Sequence, residues 1–236
     1  MTKTVLLASA AALVLTAGAA SAGAKLPGMS SKGSPHHAQL VVSGAGPASV
    51  TLYDQNNSDD GIGIVSDTFD SGSFPTYSNA AADDFTVVAP KLWKVKEVDV
   101  TGVYFNGSGP ADAVHVNFYA DAGGLPGATL ATCNPASYKD SSGFGSFVIK
   151  LGKSCTGSTK FKNKSHVWVS VVADMNFVGG KGEWGWENRT TDSGSPAAWE
   201  NPGNGFGTGC VTWAQENVCI ADGQGDHMFI LKGVSK

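Results

Sequence analysis

Residues 113–127 read AVHVNFYADAGGLPG, and this stretch decides the fold class. Apolar side chains occupy every second position, as expected for one buried face of an extended strand: Val114, Val116 and Phe118. The opposite face of the same strand holds polar and aromatic side chains: His115, Asn117 and Tyr119. The glycines and the proline that follow are typical of a tight turn, because glycine adopts positive φ and proline fixes its own φ. The stretch therefore predicts a half-buried β-strand that ends in a hairpin.

The same alternation recurs along the chain and predicts a fold made of many short strands. The further candidates are residues 49–54, 84–89, 93–105, 146–151, 166–173 and 226–233. In the third of these the apolar phase changes near Lys96 and Glu97, which predicts a β-bulge. No stretch after the first residues keeps a helical apolar period. Short strands joined by Gly and Pro turns predict an all-β fold, an antiparallel β-sandwich that is jelly-roll-like.

The first residues are typical of a secretory signal peptide. A positive charge at Lys3 precedes an apolar run over residues 5–20, and Ala20-Ser21-Ala22 is a small-residue cleavage site. We therefore predict a signal peptide over residues 1–22, a flexible Gly/Ser/Pro lead-in over residues 23–46, and a single β-sandwich domain over residues 47–236. No later run approaches the roughly 18 apolar residues of a transmembrane helix. We expect a secreted protein, extracellular or periplasmic, with no membrane span after signal cleavage.

The charge balance bears on which partners the chain can bind. The sequence has 20 Asp and Glu residues against 16 Lys and Arg residues, a formal net charge of −4. A nucleic-acid binder needs a basic face, so we expect no nucleic-acid partner. Arg189 is the only arginine, which leaves little scope for bidentate recognition of phosphate or carboxylate groups.

The four cysteines predict two disulfide bonds. An even number of cysteines in an exported chain is typical of a disulfide framework, and four cysteines allow three pairings. We favour Cys133–Cys155 and Cys210–Cys219, because each pair flanks one loop. A zinc site would favour short Cys-x-x-Cys pairs, which the sequence lacks.

Four motifs occur together and in order: ADDFTV (82–87), VTGVYFNGSGPAD (100–112), NFYADAGGLPG (117–127) and WENPGNGFGTGC (199–210). In this combination the chain resembles a group of uncharacterised secreted bacterial β-sandwich domains, jelly-roll-like, that occur alone or appended to larger exported proteins. The resemblance covers roughly residues 51–233. It implies a β-sandwich fold and export, and it implies no catalytic residues.

The segment DQNNSDDGIGIVSD (residues 54–67) is rich in the oxygen ligands that calcium binds. Asn56, Ser58 and Asp60 alternate before a glycine, and Asp67 stands at the twelfth position counted from Asn56. This imitates the spacing of an EF-hand loop, without its first Asp, its last Glu or its helices. Two interpretations stay open. Either these four residues bind a structural Ca²⁺, or the segment is a solvated turn whose Asx side chains bond their own backbone.

Four of the six tryptophans lie between residues 183 and 213, among residues that are typical of loops. Trp184 and Trp186 are two apart, so on a strand their rings would face the same way. One hypothesis is a platform for sugar rings, with Glu187, Asn188 and Asn201 bonding the sugar hydroxyls. The alternative is that the rings pack inward, because tryptophan is usually mostly buried with its N–H bonded. For the remaining tryptophans we expect structural roles: Trp93, Trp168, Trp199 and Trp213.

The acidic residues beside the tryptophans do not form a recognisable catalytic pair. On one strand Glu183 and Glu187 would lie about 13 Å apart at roughly 3.3 Å per residue, too far for the paired carboxylates of a glycosidase. The sequence contains neither a Glu-x-Asp-x-Glu run nor a Gly-x-Ser-x-Gly nucleophile elbow. We therefore expect no enzymatic activity.

Three classes of function follow from these patterns. The first is a secreted, non-catalytic binding module whose ligand is a carbohydrate or a cell-envelope glycan, and it predicts that Trp184 and Trp186 are exposed and coplanar. The second is a structural or interaction protein of the cell envelope whose partner is another protein. The third is a hydrolase, which requires two carboxylates or a His–Ser pair to converge in one cleft.

Overall fold

The computed structural model describes residues 25–41, 49–69, 74–88, 92–152 and 155–236. The fold is all-β and built from antiparallel sheets, which confirms the predicted β-sandwich. The predicted signal peptide over residues 1–22 lies outside the described residues. Within these ranges no helix is long and apolar enough to cross a membrane.

Sixteen strands occur in the described ranges. They are β1 Val50–Asp54, β2 Asp59–Val65, β3 Asp67–Phe69, β4 Ala80–Thr86, β5 Trp93–Val100, β6 Gly102–Phe105, β7 Ala113–Asp121, β8 Pro126–Asp140, β9 Phe147–Lys150, β10 Cys155–Gly157, β11 Lys160–Phe161, β12 His166–Met175, β13 Glu183–Arg189, β14 Ala198–Glu200, β15 Ala214–Gln215 and β16 Phe229–Ser235. A 3-10 turn spans Pro75–Tyr77, and the single-turn helix α1 spans Glu216–Cys219.

The main sheet has the strand order β1-β16-β5-β9-β8-β7-β12-β4-β14-β15. Its pairs are antiparallel, apart from the short β3, which runs parallel to β12. The long strand β8 connects two arms, because its first part pairs with β7 and its last four residues pair with β9. We call β1-β16-β5-β9 the first arm and β7-β12-β4-β14-β15 the second arm. The apolar faces of the two arms meet across one core, as in other sandwiches.

The core confirms the alternation predicted for residues 113–120. Val114, Val116 and Phe118 are fully buried, and they share their face with alternate residues of β12 in a continuous antiparallel register. Aromatic rings join the two arms: Phe85 of β4 lies 6.3 Å from Trp93 of β5. The outward side chains of β7 are consequently placed on the opposite face of the second arm, which we call the outer face.

A second sheet has the order β2-β13-β6, and its apolar side chains belong to the same core cluster as those of the main sheet. All seven residues of its central strand β13 are buried. Residues 25–41, which the sequence predicted as part of a flexible lead-in, lie against this sheet: the Gly28 N–H donates to Glu183 Oε1 at 2.6 Å and Ser30 forms a bridge to Ile64. This part of the lead-in is therefore held by hydrogen bonds.

Several strand predictions differ from the structure in instructive ways. The segments of β2 and β13 read as loops in sequence because they are rich in Gly, Asn and Asp, and β8 lacks a clean alternation. The predicted strand over residues 93–105 is interrupted at Thr101, which separates β5 from β6. The predicted bulge is present, because Glu97 pairs with Lys232 and Val95 with Gly233, which leaves Lys96 between two paired residues.

Both predicted disulfides are confirmed. Cys133 and Cys155 are directly opposite each other on β8 and β10. Cys210 and Cys219 close a short loop that contains β15 and ends with α1. Disulfides persist in oxidising compartments, so the two bonds fit a protein that works outside the cytoplasm.

Trp186 tests the burial of β13. Its side chain is fully buried, so we expect Trp186→Ala to lower the free energy of unfolding by about 3–5 kcal/mol through lost contacts and a residual cavity. Urea unfolding measures this loss. Val218→Ala is the control, because this side chain is 74% exposed and its removal should change stability by less than about 0.5 kcal/mol. Equal stability of the two variants would contradict the structure.

Candidate binding site on the outer face

The predicted tryptophan platform is not accessible to a ligand. Trp184 and Trp186 are fully buried, and their rings stack on each other at 6.4 Å. Trp184 also stacks on Phe147 at 5.1 Å, and Trp186 stacks on His227 at 4.5 Å. Both indole N–H groups donate to buried carbonyls, those of Gly145 and Met228. This corrects the predicted sugar platform: the rings do face the same way, but they face the core of the sandwich.

The polar residues assigned to that platform are also buried. Asn188 Nδ2 donates to Glu216 Oε1 at 2.7 Å, and Asn201 Nδ2 donates to the carbonyls of Thr76 and Ser78, both at 2.8 Å. These amides hold loops to the sheet and are not free for a sugar. Glu187 is only 1% exposed, and none of the described N–H or O–H groups donates to its carboxylate.

The four predicted calcium ligands do not converge. Asp67 is fully buried and its Oδ2 accepts from the Trp184 N–H at 3.0 Å, while Asn56 Oδ1 accepts from Thr101 Oγ1 at 2.6 Å. Ser58 is an exposed residue with a positive φ of 59°. The EF-hand-like spacing fails because residues 59–65 form the extended strand β2, which separates Asp67 from the start of the segment. Asp60 alone stays in an acidic cluster, with Asp59 and Glu187.

The two carboxylates in the middle of β4, Asp83 and Asp84, act as anchors. Asp83 points into the core, where its Oδ2 accepts from Gln55 Nε2 at 2.7 Å and from the His227 N–H at 2.6 Å. Burial, and then the nearby Asp226 charge, raise the pKa of Asp83 well above its usual value. Asp84 points to the outer face, 2.5 Å from His166 Nε2, and accepts from the Ser195 N–H at 2.7 Å.

The outer face carries a cavity of about 500 Å³, within the usual range for ligand pockets. It lies over β7, β12 and β4, beside the end of β14. Eight of its eleven lining residues are polar or charged. The lining consists of Thr68, Ser78, Asn79, Ala80, His115, Asn117, Asn134, Val172, Asp174, Glu200 and Pro202. The register of the sheet places these groups, because His115 is paired with Val172 and Ala80 with Glu200.

Charged groups in the cavity are held in fixed positions. His115 Nε2 lies 2.8 Å from Asp174 Oδ1, and His115 Nδ1 is buried without a hydrogen-bond partner among the described residues. Burial raises the pKa of Glu200 above its usual value, although the Trp213 backbone N–H donates to its carboxylate. The cavity therefore combines amide groups, one histidine and two carboxylates on strands of one sheet.

An aromatic pair borders this cavity. Tyr119 follows the cavity residue Asn117 on the same face of β7, and its ring lies 5.7 Å from that of Trp213. Both rings are half-buried and, together with Leu125, pack on a small buried apolar cluster: Ala82, Trp168 and Ala198. Burial, and then the charge of Glu200, raise the pKa of Tyr119 to about 12, which places the carboxylate of the cavity near the aromatic pair.

Sequence reasoning missed most of this site, although one signal for it was present. The alternation in residues 113–120 already grouped His115, Asn117 and Tyr119 on the face opposite the core. Trp213 was expected to have a structural role, whereas it is the one tryptophan of the six that is not buried. Asp174 lies in β12 and Glu200 in β14, and both strands are far in sequence from β7. The pattern of a single segment therefore did not indicate that these two residues line the same cavity.

Comparisons with protein-family models, with curated proteins and with solved structures find no match to this chain.

The buried Glu183 predicts a dependence of stability on pH. It accepts from the Gly28 N–H and from Asn106 Nδ2, and burial raises its pKa to about 8 from 4.5. Between these values the folded chain holds a proton that the unfolded chain releases, so this group makes stability fall as the pH rises. We expect Glu183→Gln to remove this part of the slope, at most about 1.4 kcal/mol per pH unit.

Urea unfolding with a chelator, at several values between about pH 5 and pH 8, measures that slope. The chelator keeps any cation from altering the titration of neighbouring carboxylates. The difference in the free energy of unfolding between wild type and variant isolates the contribution of Glu183, because the other buried acids are common to both proteins. Parallel pH profiles of the two proteins would contradict the raised pKa.

Proposed function

We propose that the protein is a secreted, non-catalytic binding module that takes a carbohydrate, such as a cell-envelope glycan, in the cavity of the outer face. The observation that carries this proposal is a cavity of about 500 Å³ with eight polar or charged residues in its lining, next to which lies the half-exposed Tyr119–Trp213 pair. Secretion rests on the signal-peptide pattern of residues 1–22 and agrees with the two disulfides.

The polar lining suits a ligand with many hydroxyl groups. Each sugar hydroxyl both donates and accepts, and an amide side chain offers both an acceptor oxygen and a donor NH₂ group. Asn117 and Asn134 supply such amides, and His115 adds an imidazole to the lining. The amide of Asn79 is already engaged, because it accepts from the Asp67 N–H and donates to the Tyr77 carbonyl.

The aromatic pair suits the apolar face of a sugar ring. Tyrosine and tryptophan combine a broad apolar surface with a polar edge, which fits a ligand that is apolar on its faces and polar around its rim. Trp213 and Tyr119 pack against Trp168 and its neighbours, so both rings are already held in place before a ligand binds. Binding would therefore cost little side-chain conformational entropy.

The charge of the cavity favours a neutral ligand. Asp174 and Glu200 line it, and His115 is the one basic side chain of its lining. These two carboxylates would repel phosphate, sulfate or carboxylate groups on a ligand, and this repulsion would lower the affinity for acidic glycans. A neutral polysaccharide therefore fits better than an acidic one.

Tryptophan fluorescence tests the proposal directly. Because five of the six tryptophans are buried, a ligand-induced change in emission should come from Trp213. We expect saturable changes with at least one neutral soluble glucan, xylan or mannan, and a loss of affinity of at least tenfold in Trp213→Ala and Tyr119→Ala. Affinity electrophoresis in the same polysaccharide measures binding without depending on fluorescence.

Phe144→Ala is the matched control. This ring is 41% exposed in the turn between β8 and β9, outside the lining of the cavity, so its removal should leave the affinity unchanged. Absence of binding to every glycan, or equal affinity in the Trp213, Tyr119 and Phe144 variants, would overturn the proposal and return attention to an envelope protein as the partner.

Glu200→Gln separates binding from catalysis. Glutamine keeps an acceptor oxygen for the Trp213 backbone N–H, so we expect the variant to bind the glycan with an affinity within about tenfold of the wild type. With the glycan that binds, neither protein should release reducing sugar faster than the buffer. Release by the wild type that disappears in Glu200→Gln would establish a hydrolase, because paired carboxylates are what glycoside hydrolysis requires.

A further inference from the structure

We propose that Asp59, Asp60 and Glu187 bind a divalent cation, with Ca²⁺ as the preferred ion, and that the ion joins the start of β2 to the end of β13. One carboxylate oxygen from each residue lies within 4.8 Å of the others. Two oxygens bound to one Ca²⁺ at about 2.3–2.6 Å are separated by at most roughly 5 Å, so the three oxygens can share one ion.

The buried carboxylate of Glu187 is the independent observation that points to a ligand. Its side chain is 1% exposed, and none of the described N–H or O–H groups donates to either of its oxygens. Asp60 Oδ2 is likewise buried and without a donor. A buried charge that has no partner is strongly unfavourable, so the structure requires either a proton or a cation at this point.

The acidic neighbours make the proton the competing occupant. The Asp59 carboxyl lies within side-chain hydrogen-bond reach of Glu187, so one proton shared by the two groups would remove part of their repulsion. A single proton would neutralise only one of the three carboxylates. A divalent cation would neutralise two charges and contact all three groups, which is the physical advantage of the ion.

The two aspartates are already oriented toward such an ion. Asp59 Oδ1 accepts from the Gly61 N–H at 2.7 Å, and Asp60 Oδ1 accepts from the Ile62 N–H at 2.8 Å. These bonds fix each carboxylate through one oxygen and leave the other oxygen available. The adjoining backbone is tied across the strands, because the Thr190 N–H donates to the Ser58 carbonyl at 2.7 Å.

The nearby basic side chains lie against other groups. The Arg189 guanidinium donates to Asn57 Oδ1 at 2.7 Å and to Ser193 Oγ at 2.9 Å, and it lies 3.8 Å from Asp226. His227 interacts with Asp60 at longer range, and its Nε2 lies 2.9 Å from Glu216 Oε2. Neither group pairs directly with the three carboxylates.

The donor set selects the class of ion. All three ligands are carboxylates, without histidine or cysteine, and hard oxygen ligands suit Ca²⁺, Mg²⁺ or Mn²⁺ better than Zn²⁺ or Cu²⁺. Ca²⁺ is favoured because it accepts irregular sets of six to eight oxygens, and the exposed Asp59 leaves room for water to complete the shell. This inference is independent of the glycan site, which lies on a different sheet.

Isothermal titration of the EDTA-treated, dialysed full chain with CaCl₂ tests the site. We expect saturable binding of one ion and a rise in Tm of roughly 5–10 °C at about one hundred times Kd. Glu187→Gln should abolish both responses. It should also melt higher than the wild type in EDTA, since it removes a buried acid that lacks a donor.

Glu183→Gln is the matched control, because Glu183 is an equally buried glutamate four residues earlier on β13. Unlike Glu187, its carboxylate accepts hydrogen bonds from the Gly28 N–H and from Asn106 Nδ2. It should keep the calcium response of the wild type. Absence of calcium binding, an unchanged response in Glu187→Gln, or a response to Mg²⁺ or Mn²⁺ but not to Ca²⁺ would overturn the proposal.

Discussion

The burial of every residue of β13 is the constraint on which the rest of the structure depends. One face of this strand presents two tryptophans to the core, and the other presents Glu183 and Glu187 to the segment that precedes β1 and to the start of β2. A strand with this composition is stable only if each polar group finds a partner. Asn188 and Glu183 find theirs in protein groups, while Glu187 has none from the described donors.

Two glycines make this burial feasible. A Cβ atom on Gly185 would come within 2.8 Å of the Gly63 backbone, and a Cβ on Gly63 would come within 2.7 Å of Val103. Glycine in a strand often marks a close approach of another backbone, and here it lets β2 and β13 pack tightly against β6. The same glycines made both segments look like loops in the sequence.

The sequence alone therefore predicted those structural features that depend on a local pattern. Alternation in residues 113–120, the signal of the bulge at Lys96 and the even cysteine count each depend on a few neighbouring residues, and the structure agrees with them. Whether Trp184 is exposed depends on Phe147 and Gly145, which are distant in the chain. The cavity likewise joins β7, β12 and β14, and the acidic cluster joins β2 and β13. No periodicity within one segment encodes such pairings.

The location of the outer-face cavity has a consequence for how a ligand would be bound. Asn117, Asp174 and Glu200 stand on strands whose register is fixed by the core behind them, so few of these groups must be ordered on binding. Trp213 differs, because it lies in the loop between Cys210 and Cys219. The disulfide limits the conformations of that loop, and the pairing of Ala214 in β15 with Trp199 in β14 attaches it to the sheet. The loop tryptophan is thereby kept near the strand-borne polar groups, which is the arrangement that recognition of a flat, hydroxylated ligand requires.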